Sequence, residues 1–167
     1  MRWIWIDKFV EFESGRRAVA VKNVTLAEEH LHDHFPGFPI MPECLLIEAM
    51  AQTSGILVGE AKNFREKVVL AKISKAVFFD YVIPGDSLRL ETEIEMLARE
   101  AASTSGRIMR SDQRIAEINL MFSHIDQNLA GTKFPEENFV FTGMLASLLR
   151  NFTPGGIGPA VGEAESP

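Results

Sequence analysis

The sequence predicts an α+β domain in which a curved antiparallel sheet wraps around one long central helix. Three patterns lead to this prediction: a hairpin-like start, a single long apolar helix over residues 43–60, and four strand-like segments after it. With 167 residues, the chain is long enough for one compact domain with a core. It is too short to make two ordinary domains the default.

The first two predicted elements are a strand pair and a loop. Residues 7–25 are expected to form two strands around the Ser14-Gly15 turn, because residues 18–21 alternate between alanine and valine. Residues 28–42 are polar and rich in turn formers, so we expect a rigid loop there. Its three prolines lie within seven residues: Pro36, Pro39 and Pro42.

The next predicted element is the central helix. Pro42 suits the first turn of a helix, where its missing backbone donor costs nothing, and residues 43–60 contain no further proline. Apolar residues, Cys44 among them, occur on all sides of this segment, which is typical of a helix buried in a core. At 1.5 Å per residue the helix is about 27 Å long, so a sheet can wrap around it.

The second half of the chain predicts the sheet. Its strand-like segments are separated by turn chemistry, and they are residues 68–82, 87–96, 101–109 and 114–125. One more short helix is expected over residues 141–152. We therefore predict a single domain over residues 1–152, followed by a Gly- and Pro-rich flexible tail over residues 153–167.

Composition and charge limit the classes of function. Cys44 is the single cysteine, and the start of the chain lacks the unbroken apolar stretch of a signal peptide, so a cytoplasmic protein is expected. The net charge of −6 argues against general binding to nucleic acid. The apolar segment 141–152 is too short to span a bilayer about 30 Å thick, so no membrane span is expected.

Glu48 is the unusual residue of the predicted central helix, because a carboxylate among apolar neighbours is rarely buried without a partner or a task. One interpretation is structural: Glu48 hydrogen-bonds Gln52 one turn later, or pairs with a charge at a subunit contact. The other is functional: burial disfavours the charged carboxylate, which suits a general acid. The residues alone leave both open.

His34 is the candidate base, because the prolines after it restrict the loop that carries it. His30, His32 and His34 alternate, which raises the alternative of a metal site, but this spacing in a proline-rich loop is not a known metal pattern. No metal or other cofactor is therefore expected. The first backbone N–H groups of the helix, near Glu43 and Cys44, could hold an oxyanion. Base, acid and oxyanion site together suit proton abstraction next to a carbonyl, and a thioester is the natural candidate.

The segment DHFPGFPIMPECLLIEAMAQTSGIL resembles the signature of the (3R)-hydroxyacyl-[acyl-carrier-protein] dehydratases of the FabZ type, which have the hotdog fold. The resemblance extends through KNVT, VIPGDSLRLE and AEINLMFSHID, and so covers about residues 7–126. It implies that His34 removes the C2 proton of a 3-hydroxyacyl thioester. Glu48 would protonate or orient the departing hydroxyl to give the trans-2-enoyl product of fatty acid biosynthesis.

The same resemblance implies partners. His34 of one subunit and Glu48 of the other would form each active site of a homodimer, and three dimers could assemble further. An acyl carrier protein would deliver the substrate. Two basic clusters are candidate docking surfaces for this acidic partner: Lys62, Arg65 and Lys67, or Arg107, Arg110 and Arg114.

The position of Glu43 and the lining of the acyl pocket are two further features of the predicted site. The family usually has glycine at the position of Glu43, so a non-catalytic or impaired acyl-binding hotdog subunit is an alternative, and a thioesterase on the same fold is another. An apolar acyl tunnel is also needed. Its candidate lining residues are Phe38, Phe78, Phe79 and Tyr81.

Overall fold

The computed structural model describes residues 4–125 of the chain. The helix predicted for residues 141–152 and the tail predicted for residues 153–167 lie outside the described residues. So do residues 126–140 of the predicted domain. Within residues 4–125, no helix is both long and apolar enough to cross a membrane.

Six strands and two helices make up the described part of the chain. In chain order they are β1 (Lys8–Glu13), β2 (Arg17–Asn23), α1 (His30–Asp33), α2 (Glu43–Glu60), β3 (Val68–Phe78), β4 (Ser87–Leu97), β5 (Ala101–Arg110) and β6 (Gln113–His124). The predicted hairpin, central helix and four later strands are therefore confirmed.

The strands form one antiparallel sheet in the order β1-β2-β4-β5-β6-β3. Helix α2 contacts every strand from β2 to β6 and lies against one face of the sheet. This is the predicted α+β architecture, a hotdog fold. Strands β1 and β3 are the two edges of the sheet.

Helix α2 is held to the sheet mainly by apolar packing. Met50, Ile56 and Leu57 on the helix are fully buried and belong to the same core cluster as Leu90 of β4 and Leu120 of β6. Burying an aliphatic side chain of this size stabilises the fold by about 1.5–3 kcal/mol. This packing fixes α2 on the sheet, and it thereby positions the candidate site residues at the N-terminal end of the helix.

The structure differs from the prediction in two segments. Residues 28–42 are not all loop, because the one-turn helix α1 occupies His30–Asp33 and buries Leu31 against the core. Strand β3 ends at Phe78 rather than at residue 82. It ends there because the Asp80 carboxylate accepts the Tyr81 N–H, which turns the chain away from the strand direction.

The burial of helix α2 is uneven. Its middle and C-terminal turns are buried, as predicted, but Glu43 and Cys44 in the first turn are exposed. The prediction that Cys44 belongs to the buried surface of the helix is therefore wrong. The exposed first turn leaves this end of α2 accessible to a ligand or a second chain.

Gly106 in β5 is required by the close approach of helix α2. A Cβ atom there would lie 2.5 Å from Met50 Sδ and 3.0 Å from the Ile118 carbonyl oxygen. Since backbone cannot move as a flexible side chain can, we expect Gly106→Ala to destabilise the fold by about 1–3 kcal/mol, as overpacking does. Urea unfolding would measure this.

The matched control is Gly55→Ala on the helix itself. A Cβ there would be 3.6 Å from the Phe122 ring, which is an ordinary contact. Alanine also favours a helix over glycine by roughly 1 kcal/mol, so this variant should be as stable as the wild type or more so. Equal stability of the two variants would contradict the close packing of α2 on β5.

Candidate active site

The loop before α2 contains a tight turn, Phe35-Pro36-Gly37-Phe38. The Phe38 N–H donates to the Phe35 carbonyl at 2.9 Å, and Gly37 has a φ of +78°. Proline at the second position and a left-handed glycine at the third are the residues that a type II turn requires. The Ile40 N–H then donates to the His34 carbonyl at 2.9 Å and closes the loop. The prolines and glycine thus fold this loop locally.

His34 lies at the base of that turn and is half-buried. Its Nδ1 is 3.1 Å from the Ile40 carbonyl oxygen, and its ring stacks on Phe35 with centroids 4.2 Å apart. A carbonyl oxygen only accepts, so Nδ1 must carry the proton in this contact. Nε2 of the neutral ring is then the unprotonated nitrogen, and it is the atom able to accept a proton.

Glu48 lies one turn and a half into helix α2 and is half-buried rather than fully buried. Gln52 Nε2 donates to Glu48 Oε1 at 2.9 Å. The contact required by the structural interpretation of Glu48 is therefore present. It leaves Glu48 Oε2 as the oxygen directed away from the amide, so the contact is also compatible with the acid role.

The N-terminus of helix α2 follows directly on the His34 loop. The Met41 N–H donates to the Val82 carbonyl at 2.8 Å, which ties the loop to the chain between β3 and β4. The Pro42 carbonyl accepts the N–H groups of Leu45 and Leu46, the first bonds of the helix. The N–H groups of Glu43 and Cys44 precede those bonds at the positive end of the helix dipole.

The structure brings two of the four candidate tunnel residues together. The rings of Phe38 and Tyr81 meet edge-on with centroids 6.4 Å apart, and they are 57% and 61% exposed. Phe79 is exposed as well. Phe78 is half-buried against the core cluster instead. Exposed aromatic side chains on this scale indicate a surface that binds an apolar ligand or another chain.

Arg110 at the end of β5 holds the loop that carries Tyr81. Its Nη1 donates to the Tyr81 carbonyl at 3.0 Å and to Asp86 Oδ2 at 2.9 Å, and its Nη2 donates to Asp80 Oδ2 at 2.5 Å. Asp80 also accepts from the Tyr81 N–H and from Gln113, each at 2.8 Å. These donors, with the Tyr81 N–H first, hold the pKa of Asp80 below its ordinary value. Sequence reasoning missed this role of Arg110, because its partners lie up to 30 residues away.

The cluster of Arg107, Arg110 and Arg114 is not a free basic surface. Arg107 pairs with Glu91, Arg110 with two aspartates, and Arg114 with Glu117. These carboxylates offset the positive charge that docking of an acidic partner would need. In the other cluster, Lys62 and Arg65 make no ion pair with any residue between Ile4 and Ile125.

The three alternating histidines have separate environments. His32 Nε2 is 2.9 Å from the Leu26 carbonyl oxygen. Burial lowers the pKa of His30, and the nearby Glu28 partly offsets this effect. In residues 4–125, no group of three or more His, Cys, Asp or Glu side chains is arranged to hold a metal ion.

Comparison with known protein families gives one match over most of the chain. Residues 3–119 match the model of the FabA-like domain. Among curated proteins, the 3-hydroxyacyl-[acyl-carrier-protein] dehydratase FabZ of Symbiobacterium thermophilum is 42% identical over 125 residues, which cover 74% of this chain and 88% of that protein. The enzyme of the same name from Desulforamulus reducens is 38% identical over 122 residues, covering 72% and 86%.

Solved structures resemble the fold at much lower sequence identity. The structure of smu.793 from Streptococcus mutans, bound to acetyl CoA, superposes with a TM-score of 0.60 at 17% identity and covers 74% of this chain and 92% of that one. The dehydratase heterocomplex ApeI:P from Xenorhabdus doucetiae gives a TM-score of 0.54 at 16% identity, covering 68% and 93%. At this level of identity, the likeness is one of fold.

Proposed function

The chain belongs to the FabA-like domain family, with the 3-hydroxyacyl-[acyl-carrier-protein] dehydratases of the FabZ type, and on that premise we propose that His34 and Glu48 catalyse its dehydration step. The enzyme converts (3R)-hydroxyacyl thioesters to trans-2-enoyl thioesters and water in fatty acid biosynthesis. The observation that carries the assignment of roles is the contact between His34 Nδ1 and the Ile40 carbonyl, because it leaves Nε2 as the proton acceptor.

His34 acts first in the proposed reaction. Its Nε2 removes a proton from C2 of the substrate, and the electron pair left on C2 moves toward the thioester carbonyl oxygen. The backbone N–H groups of Glu43 and Cys44 at the helix N-terminus stabilise the charge that develops on that oxygen. Neither step needs the Glu43 side chain, which is exposed.

Glu48 completes the elimination. Its proton passes to the hydroxyl on C3, the C3–O bond breaks to release water, and the C2–C3 double bond forms as the carbonyl is restored. Gln52 occupies Oε1 of Glu48, so Oε2 is the oxygen that faces the substrate. Proton exchange then restores the starting state, with His34 unprotonated and Glu48 protonated.

We propose a homodimer that pairs through strand β3. This strand is an unpaired edge of the sheet, and most of its residues are exposed. Its exposed apolar side chains include Val69, Ile73 and Val77. An apolar unpaired edge is a template for pairing with a second strand, and a two-fold axis would join two sheets into one. The second copy would also cover the aromatic rings beside His34 and bring its own Glu48 to them.

An acyl carrier protein is the proposed donor of the substrate. Lys62 and Arg65 lie just after helix α2, and their charges are free of partners among residues 4–125. Lys62 and Arg65 therefore fit an acidic carrier better than the arginines of β5 and β6 do. We also propose that the enzyme acts in the cytoplasm, where a free exposed thiol such as Cys44 persists.

Glu43 stands where the family usually has glycine, so a substitution there directly tests the alternative of a catalytically impaired subunit. Because the Glu43 side chain is exposed and only its backbone N–H is used, we expect Glu43→Gly to change kcat/KM by less than about threefold. Steady-state kinetics of the two proteins would measure the ratio. A gain of several orders of magnitude in the glycine variant would instead support an acyl-binding subunit whose catalysis Glu43 impairs.

The activity itself is tested with the purified protein and a 3-hydroxybutyryl or crotonyl thioester. We expect the two thioesters to interconvert, and the absorbance of the enoyl thioester monitors this reaction. No free thiol should be released. Failure of the wild-type protein to interconvert them would contradict the proposed dehydratase activity. Stoichiometric release of thiol would support the thioesterase alternative.

A further inference from the structure

Trp5 lies in the short segment that leads into strand β1, and it is only 8% exposed. The segment is fixed by Asp7, two residues after the tryptophan. The Asp7 N–H donates to the Val21 carbonyl at 2.7 Å, and the Asp7 carboxylate accepts the Asn23 N–H at 2.7 Å. The backbone at Trp5 therefore has a defined position against the sheet and helix α2.

The indole ring of Trp5 is also held in place. Its centroid is 5.1 Å from that of His30 in an edge-to-face contact, and Lys22 Nζ lies 5.8 Å from the ring centroid. Lys22 is buried and pairs with Glu28 at 3.0 Å. These ring contacts add to the backbone bonds at Asp7, which hold the Trp5 N–H in place without the indole.

That N–H points at the helix. Trp5 N donates to Gln52 Oε1 at 2.8 Å in a buried hydrogen bond. A backbone N–H can only donate, so the amide of Gln52 must present its oxygen to Trp5. Its Nε2 then faces Glu48, where it donates to Oε1 at 2.9 Å. With the Glu48 proton on Oε2, as the proposed reaction requires, the opposite orientation of the amide would place two acceptor oxygens against each other at Oε1.

We infer that Trp5 is a positioning residue, whose backbone N–H selects the orientation of the Gln52 amide and thereby aims the Glu48 carboxylate at the substrate. The inference rests on the proposed role of Glu48 in dehydration. Trp5 does not touch the reacting atoms. It acts through Gln52, and its effect should appear in the rate of the bound complex rather than in binding.

A pair of substitutions at one position isolates the N–H. Trp5→Ala and Trp5→Pro both remove the indole, but only proline removes the backbone donor. We expect kcat of the proline variant to be about tenfold below that of the alanine variant, with KM changed by less than about twofold, because a small misplacement of a catalytic group is costly. In a Gln52→Met background the two variants should have equal kcat. Thr53→Val, a change of a buried polar neighbour on the same helix, serves as the control that keeps kcat.

A second readout does not depend on activity. The side-chain amide signals of Gln52 in an NMR spectrum, assigned from their absence in Gln52→Met, should shift in Trp5→Pro relative to Trp5→Ala. Equal kcat and equal amide signals in the two variants would overturn the inference. If the wild type lacks dehydratase activity, the proposed function fails, and the NMR comparison still decides whether the N–H orients the amide.

Hydrogen exchange covers the case in which Trp5→Pro does not fold. The Trp5 amide is expected to exchange slowly in the wild type and in Thr53→Val, but quickly in Gln52→Met, which should also have a lower kcat. Unchanged protection of the Trp5 amide in Gln52→Met would overturn the inference.

Discussion

Replacing His34 by alanine, or Glu48 by glutamine, is expected to lower kcat/KM for dehydration by about a thousandfold in each case, the scale of general acid or base catalysis. Alanine removes Nε2, the proposed acceptor of the C2 proton. Glutamine keeps the shape of Glu48 and a hydrogen bond to Gln52, but it has no proton to give to the leaving hydroxyl. Steady-state kinetics with a 3-hydroxybutyryl thioester would measure both losses.

Two exposed residues of the same types provide matched controls for these substitutions. His32→Ala and Glu95→Gln make the same chemical changes at exposed residues that have no part in the proposed reaction, and both should retain activity. Circular dichroism and urea unfolding should show that all four variants are folded. A folded His34→Ala or Glu48→Gln protein with near wild-type kcat/KM would contradict the proposed role of that residue.

The second large effect is expected at the sheet edge. Ile73→Asp places a charge in the middle of β3, where Ile73 is 44% exposed in a single chain. A buried unpaired charge at a subunit interface is costly, so we expect the variant to be a folded monomer. Because each proposed site takes residues from two subunits, the monomer should lose nearly all activity. Sedimentation and kinetics on the same sample would measure both.

Met96→Asp is the matched control for the edge substitution. Met96 is an apolar residue of β4 with a nearly equal exposure of 43%, but it lies away from the β3 edge. This variant should remain dimeric and active. An Ile73→Asp protein that stays dimeric and active would show that the subunits do not pair through β3.

Local chemistry explains which elements the sequence could predict. The proline-rich loop before α2, the start of α2 after Pro42 and the apolar surfaces of that helix all depend on residues near each other in the chain, and the structure has each of them. The family signature added the hotdog architecture. Helix α1 was missed because a single turn of four residues has too short a pattern to stand out from a loop.

Contacts between distant residues explain what the sequence could not reveal. Strand β3 ends early because of a turn at Asp80, which Arg110 holds from another strand. The apolar residues of β3 have the composition of a core strand, and only the structure places them at an exposed edge. In the same way, nothing near Gln52 in the chain indicates that the N–H of Trp5 orients its amide.

Subunit complementation tests the proposed sharing of the dehydratase site between subunits most directly. His34→Ala and Glu48→Gln chains, carried on different affinity tags and purified together as mixed dimers, each supply the residue that the other lacks at one of the two sites. We expect two inactive variants to recover about half of the wild-type kcat as a mixed dimer, because one of its two symmetry-related sites is intact. Mixed dimers as inactive as either parent would contradict a site built from His34 of one subunit and Glu48 of the other.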